Sequence, residues 1–315
     1  MSNFVVIIIC LIVGVLLARF KVVGEQGVKG VNAWVFYVAL PALSLRYVPE
    51  MTWSKEMFFP ALSPIILVAG AWLFVQIIDF KKRLDIGTRT ALFVTIALSN
   101  TGFIGIPMTA AFLGEENVHY AVLNDQITFL LFSTVGLVAI MRAAAISGTS
   151  AGVATSKAVG AKASVSLKVI VKKIFFFPPF IAFILALTLP HFIDISVANP
   201  VFDKLMATMS PMAVFSIGLQ LRLGSIGREW RLVSTGLLYK LILAPLIILG
   251  IAFLMGEKGS GAQVSVLEAS MSSHITISLL ASQYGLNPRL CSLIVGVGII
   301  AGFLTSTLWS VVLSI

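Results

Sequence analysis

Ser99-Asn100-Thr101-Gly102-Phe103-Ile104-Gly105-Ile106-Pro107 interrupts an apolar run long enough to cross a bilayer. A helix through it would carry two glycines, a proline and an amide side chain at mid-depth. Proline removes a backbone donor and crowds the preceding turn, and glycine lets another group approach closely. Irregular backbone at that depth survives only when it is packed in protein or lines a wet cavity. Paired broken segments point to the binding site of a carrier. The stretch therefore predicts a membrane carrier with its site at this break.

The composition around it agrees. A mean hydropathy of +1.03, with 58% hydrophobic and 11% charged residues, excludes an ordinary soluble domain. Ten apolar stretches approach the roughly 20 residues that span hydrocarbon: 3–20, 28–46, 59–79, 90–113, 118–141, 169–189, 200–221, 231–255, 262–284 and 290–313. The expected fold is an all-α integral membrane protein of ten transmembrane helices. Its domains are a first five-helix repeat over 1–141, a cytoplasmic linker over 142–168 and a second repeat over 169–315. The linker is rich in Ala, Gly, Ser and Thr with scattered Lys, which suits a flexible connector.

The net charge of +9 reads as a topology signal. With the N-terminus outside, the inner loops hold Arg19, Lys21, Lys29, Lys81, Lys82, Arg83, Arg89, Arg142, Lys157, Lys162, Lys168, Lys172, Lys173, Arg222, Arg228, Arg231 and Arg289, seventeen of the 22 basic residues. The positive-inside rule then places both termini outside the cytoplasmic membrane, and no nucleic-acid partner is expected. The first span lacks a basic n-region and a small-residue cleavage site, so it reads as an uncleaved first helix. Cys10 and Cys291 fall inside spans without metal-ligand spacing. No metal or cofactor site is expected, and no catalytic constellation that would make an enzyme.

Five spans on either side of the linker force the halves to be inverted. Adding 170 to Pro41 gives Pro211, Asn100 maps onto Ser270, and Gly102–Gly105 onto Ser272–Ile275. The ninth span reads Glu268-Ala-Ser-Met-Ser-Ser-His-Ile-Thr276 there, the most polar stretch in any span. One offset thus aligns both the prolines and the polar breaks.

Asn32-Ala-Trp-Val-Phe-Tyr-Val-Ala-Leu-Pro41-Ala, the Ser99–Pro107 stretch and Leu238-Tyr-Lys240-Leu-Ile-Leu-Ala-Pro245-Leu resemble the auxin efflux carrier family, whose bacterial members include malate and malonate permeases. The resemblance runs the length of the chain and implies an elevator-type secondary carrier. Helices 1, 2, 6 and 7 would form a scaffold, often dimeric, while helices 3–5 and 8–10 move. Broken helices 4 and 9 would cross and hold a small organic anion, either a carboxylate or an auxin-like weak acid. The chain departs from the family in its short central loop, and in Ser272-Ser273-His274 where family members carry proline. A sodium-coupled symporter of the bile-acid type, with the same crossover architecture, is the alternative.

Half-helix N-termini at such a crossing present free N–H groups and positive dipole ends to a carboxylate. The expected substrate-binding residues are Asn100, Thr101, Ser270, Ser272, Ser273 and His274, with Gly102, Gly105 and Pro107 shaping the backbone. Asn100 supplies an amide, the serines and Thr101 supply hydroxyls, and His274 titrates near neutrality. Asp125, Lys240 and Glu268 are intramembrane ionisable residues, hence candidates for coupling to a proton or sodium. Either carboxylate can pair with Lys240.

Overall fold

A computed structural model describes residues 2–50, 55–148, 178–221 and 229–313. Most of the 142–168 linker, the start of the sixth predicted span and the basic residues Lys157, Lys162, Lys168, Lys172, Lys173, Arg222 and Arg228 lie outside the described residues.

The described chain is all helical, with one isolated bridge in place of any strand. In order, the helices are α1 (Ser2–Arg19), α2 (Glu25–Glu50), α3 (Lys55–Lys81), α4 (Ile86–Ala97), α5 (Thr101–Phe112) and α6 (Glu115–Ser147). There follow α7 (Pro178–Thr188), α8 (Asn199–Met206), α9 (Met209–Gln220) and α10 (Trp230–Met255). The last three are α11 (Ser260–Ala269), α12 (Ile275–Gln283) and α13 (Pro288–Leu313). Among the described residues, α2, α3, α6, α10 and α13 are long and apolar enough to cross a membrane. Large apolar side chains stand outward along them, including Ile65, Trp72, Leu73 and Ile77 on α3 and Leu304, Leu308 and Val311 on α13. Such contiguous apolar surface fits lipid and not water.

The predicted fourth and ninth spans are each two short helices, α4–α5 and α11–α12, separated at Leu98–Asn100 and Ser270–His274. The seventh, expected as one helix over 200–221, also divides, at Ala207-Thr208. Pro211 lies four residues beyond Ala207, whose carbonyl it leaves without its helical donor.

Three other prolines share one local solution. The five residues Val35–Ala39 before Pro41, Thr101–Gly105 before Pro107 and Tyr239–Leu243 before Pro245 are each wound as a π-helical turn. Each wide turn begins six residues before its proline, and widening there relieves the clash of ring and preceding carbonyl. Two of the carbonyls that prolines release are paired from elsewhere. Pro64 of α3 frees the Pro60 oxygen, which accepts from Asn124 Nδ2 on α6 at 3.2 Å and Ser63 Oγ at 3.3 Å. Pro245 of α10 frees the Leu241 oxygen, which accepts from Trp309 Nε1 on α13 at 3.0 Å. In lipid these carbonyls have no water to fall back on.

Two apolar cores organise the packing. One draws only on α3, α4, α6 and α10–α13 with their connecting residues, and includes Phe59, Leu92, Ile140, Ile248, Ile277 and Ile294. The other gathers α1, α2, α7 and α9 around Ile7, Val35, Phe183 and Ile217, against the near faces of α5, α6 and α11. Within the second core α1 packs on α9 and α7 on α2. Arg46 of α2 ties to Asp203 of α8 at 2.8 Å, an exposed pair that adds little stability.

The α1–α9 contact rests on two glycines. A Cβ on Gly218 would stand 2.4 Å from the Leu11 carbonyl oxygen and 2.9 Å from Gly14 Cα. Small residues that let backbones touch are the usual means of helix association in membranes. Gly218→Ala is therefore expected to lower the melting temperature, at the overpacking cost of about 1–3 kcal/mol. Gly250→Ala, where nothing lies within 4 Å of the added carbon, should not. Equal melting temperatures for the two variants would contradict the contact.

Candidate functional site

Each interruption follows from residues that support a helix poorly, with Ser99-Asn100 in one and Ser270 to His274 in the other. Asp85 starts α4 by accepting the Thr88 N–H at 2.9 Å. The helix ends at Ala97, and Leu98 is extended (φ −110°, ψ 127°). His274 is likewise extended (φ −64°, ψ 118°) before α12 begins. The two extended pieces pair with each other. The Asn100 N–H donates to the Ser272 carbonyl at 2.9 Å, and the His274 N–H donates to the Leu98 carbonyl at 3.0 Å. Ser99 and Ser273 face each other as an antiparallel pair. The breaks thus supply part of each other's missing hydrogen bonding.

The start of α5 is already capped by a carboxylate of the protein. Thr101 Oγ1 donates to Asp125 Oδ1 at 2.5 Å, and the Gly102 N–H also bonds this carboxyl group. A Cβ on Gly102 would lie 3.0 Å from Asp125 Oδ1, so glycine lets α6 seat its acid on the first turn of α5. The Asn100 carbonyl accepts from Ile104 and Gly105. Among the described residues, no carboxylate is recorded as a partner of α12's first turn. Beside it His274 stacks on Phe132 with ring centroids 5.5 Å apart.

Among the described residues, six buried side-chain atoms on or near the helices that meet here have no partner: Asn100 Nδ2, Ser272 Oγ, Ser273 Oγ and His274 Nδ1 at the breaks, with Gln126 Oε1 of α6 and Glu268 Oε2 of α11. Ser270 differs, because its hydroxyl bonds back to the Leu267 carbonyl of its own helix at 2.7 Å. A cavity of about 280 Å³ adjoins the breaks, at the low end of small-molecule sites. Gly102 and Phe103 of α5, Asp125, Phe129 and Phe132 of α6, His274 and Thr276 line it, with Phe36 of α2 edge-on to Phe103, ring centroids 5.1 Å apart. A larger cavity of about 470 Å³ lies away from the breaks, beside Arg46, His191 and Asp194. Its Arg46 is committed to Glu50 and Asp203, so the smaller cavity is the better candidate.

Glu268 and Lys240 are fully buried behind the breaks. Glu268 accepts from Thr109 Oγ1 of α5 at 3.1 Å and packs on the bare backbone of Gly105. Lys240 donates to Ser99 Oγ at 2.5 Å and to the Ala269 carbonyl at 3.2 Å. Among the described residues neither carboxylate stands within ion-pair distance of it. Pro107 follows directly on the wide turn Thr101–Gly105 and shapes the middle of α5. The structure therefore gathers Asn100, Ser272, Ser273 and His274 at the joined breaks. Thr101 and Gly102 sit with Asp125, while Gly105 and Thr109 sit with Glu268. The aromatic lining and the Ser99 hydroxyl are additions to the residues chosen from sequence. Ser99 opens the Ser99–Pro107 stretch, and Phe129 and Phe132 fall three apart on one helix face.

Gly105→Ala tests how tightly this region is built. The new Cβ would lie 1.9 Å from Glu268 Oε2, so the buried carboxyl must leave its seat against Thr109. A lowered melting temperature is expected, partly restored by Glu268→Ala in the same chain. Two destabilisations that simply add would show that the groups do not meet.

Comparison with known proteins agrees with this reading. A family model described as membrane transport protein matches residues 1–310. An uncharacterized transporter of Methanothermobacter thermautotrophicus is 28% identical over 317 residues, covering 98% of this chain and 96% of its own. One from Methanocaldococcus jannaschii is 24% identical over 325 residues, with 99% and 98% covered. Auxin efflux carrier component 6 of Arabidopsis thaliana is 30% identical over 106 residues, 33% of this chain and 19% of its own. With broken helices, lipid-facing surface and a match along nearly its whole length, the chain belongs to the membrane transport protein family of the auxin efflux carriers, as a transport protein and not an enzyme.

Proposed function

We propose that the protein is a secondary active carrier of a small organic anion working by elevator-type alternating access. The observation that carries the reading is the pair of breaks joined backbone to backbone beside a cavity. Unpartnered Asn100, Ser272, Ser273 and His274 atoms stand at that joint. Such a joint offers donors and a helix dipole to a ligand without a full opposing charge.

The arrangement of ten spans as two inverted five-helix repeats draws support from exchanged packing. If α4–α5, α8–α9 and α11–α12 each count as one span, then α1 on α9 mirrors α7 on α2. Likewise α3 on α11 mirrors α10 on α4, and α6 on α11 mirrors α13 on α4. The proline-released carbonyls follow the same rule. In each half a proline of the third span frees an oxygen that the fifth span of that half satisfies. The core confined to α3, α4, α6 and α10–α13 supports a moving unit, and α1, α2 and α7–α9 supply the scaffold. The cavity falls between α2 and that unit, where an elevator carries its substrate past a fixed wall. Both termini then face outward by the distribution of basic residues.

The anion is assigned to the first turn of α12, because Asp125 already caps α5. Phe36, Phe103, Phe129 and Phe132 around the cavity suit the apolar body of a monocarboxylic weak acid better than a second carboxylate.

Reconstituted into liposomes, Asn100→Ala should lose carboxylate flux about tenfold to a hundredfold, the worth of one hydrogen bond to a charged group, while melting as wild type does. Undiminished flux would remove the site. In melting assays an apolar monocarboxylate should stabilise the protein more than a dicarboxylate of similar size, by mass action. The opposite order would overturn the assignment of substrate class.

A further inference from the structure

Lys240 sits where a coupling cation would be expected to sit. In broken-helix carriers the oxygens that hold sodium come from helix C-terminal ends and unwound backbone. Here the C-terminal carbonyls of α11 are accounted for one by one. Val266 and Leu267 accept from the Ser270 N–H, and Glu268 accepts from the Met271 N–H. Ala269, the last residue of the helix, accepts from Lys240 Nζ. The second oxygen on this ammonium is Ser99 Oγ, from the other break. One cation is thus held between the negative end of α11 and the extended turn that follows α4.

The ammonium is fixed there by its own helix. Lys240 lies in the wide turn Tyr239–Leu243, and both flanking residues are pinned to other helices. Tyr239 Oη donates to the Leu67 carbonyl of α3 at 3.1 Å, and the Leu241 carbonyl accepts from Trp309 of α13 at 3.0 Å. The lysine has no exposed surface and no carboxylate within ion-pair distance among the described residues. A surface lysine snorkels to water, but this one is turned inward onto two neutral oxygens.

We infer that the Lys240 ammonium is a tethered occupant of an internal monovalent-cation seat at the joined breaks, filling with a side chain the place that a free cation would otherwise take. The carrier consequently needs no sodium at this position, and removing the ammonium opens the seat to a small cation from solution. The functional consequence rests on the carrier reading above, but the seat itself does not.

The test is a melting assay of the purified full chain in sodium chloride, methylammonium chloride or choline chloride, at equal ionic strength and without substrate. Wild type is expected to melt at one temperature in all three, whereas Lys240→Ala melts lower in choline and regains part of the loss, saturably, in sodium or methylammonium. Lys240→Met, which fills the volume without a charge, is expected to melt below wild type in every salt. Three results would overturn the inference: a sodium-specific rise for wild type, no cation response from Lys240→Ala, or a Lys240→Met variant as stable as wild type. The wild-type arm decides even if a variant fails to fold. Absent carboxylate flux with the cation response intact would fault the carrier reading alone, and a sodium response of wild type with normal flux would fault the tethered cation alone.

Discussion

Peptide groups inside a bilayer must be paired by protein, because lipid offers no partner. Everything distinctive in this structure answers that constraint at the points where a helix cannot. Two helices stop partway, and their loose ends are held together by two hydrogen bonds, from Asn100 to Ser272 and from His274 to Leu98. The same demand appears where Pro64 and Pro245 remove a donor. The Pro60 oxygen goes to Asn124 and the Leu241 oxygen to Trp309, and at the end of α11, where the helix itself stops, the Ala269 oxygen goes to Lys240. Side chains that look like isolated polar intrusions in an apolar sequence are thus largely servicing backbone.

Against that background the atoms left unserved stand out. Buried polar atoms almost always find partners, yet Asn100, Ser272, Ser273 and His274 at the joint each keep one without any among the described residues. The two half-helix starts that meet there are also unequal. Asp125 closes α5 through Thr101 and Gly102, whereas α12 opens beside His274 and Thr276 into the aromatic-lined cavity. The cavity therefore has a carboxyl group on one side and the first turn of α12 on the other. On the proposed function, that inequality would orient a bound acid.

Much of this was legible in the sequence. Asn100, Gly102, Gly105 and Pro107 announced the first interruption, and the run from Ser270 to His274 announced the second, because these residues either compete with helical hydrogen bonding or cannot take part in it. The family followed from motifs that cover the chain. Partnership was not legible. Asp125 can be read as an intramembrane acid, but nothing in the sequence says that the fold lays it on Thr101, 24 positions away. Lys240 invites pairing with Asp125 or Glu268, because charge can be read from a sequence and a freed carbonyl at a helix end cannot. The division at Ala207-Thr208 gave no signal beyond Pro211, since apolar and small residues continue through it. The wide turns before Pro41, Pro107 and Pro245 escaped for a related reason. Proline marks the place, but only packing decides whether a helix widens, bends or ends.

The joint itself can be interrogated directly. Ser99 and Ser273 occupy the kind of antiparallel pair whose own amides do not bond to each other, in which Cα atoms stand about 4.5 Å apart and a disulfide can form without backbone movement. With Cys10 and Cys291 replaced by alanine, a Ser99→Cys/Ser273→Cys chain should, on mild oxidation in the folded state, close an intramolecular disulfide visible by mass spectrometry of the joined peptides. That link is expected in the folded protein, and its absence is expected when the chain is oxidised unfolded. Two thiols that stay free and fully alkylated in a protein that still melts cooperatively would contradict it.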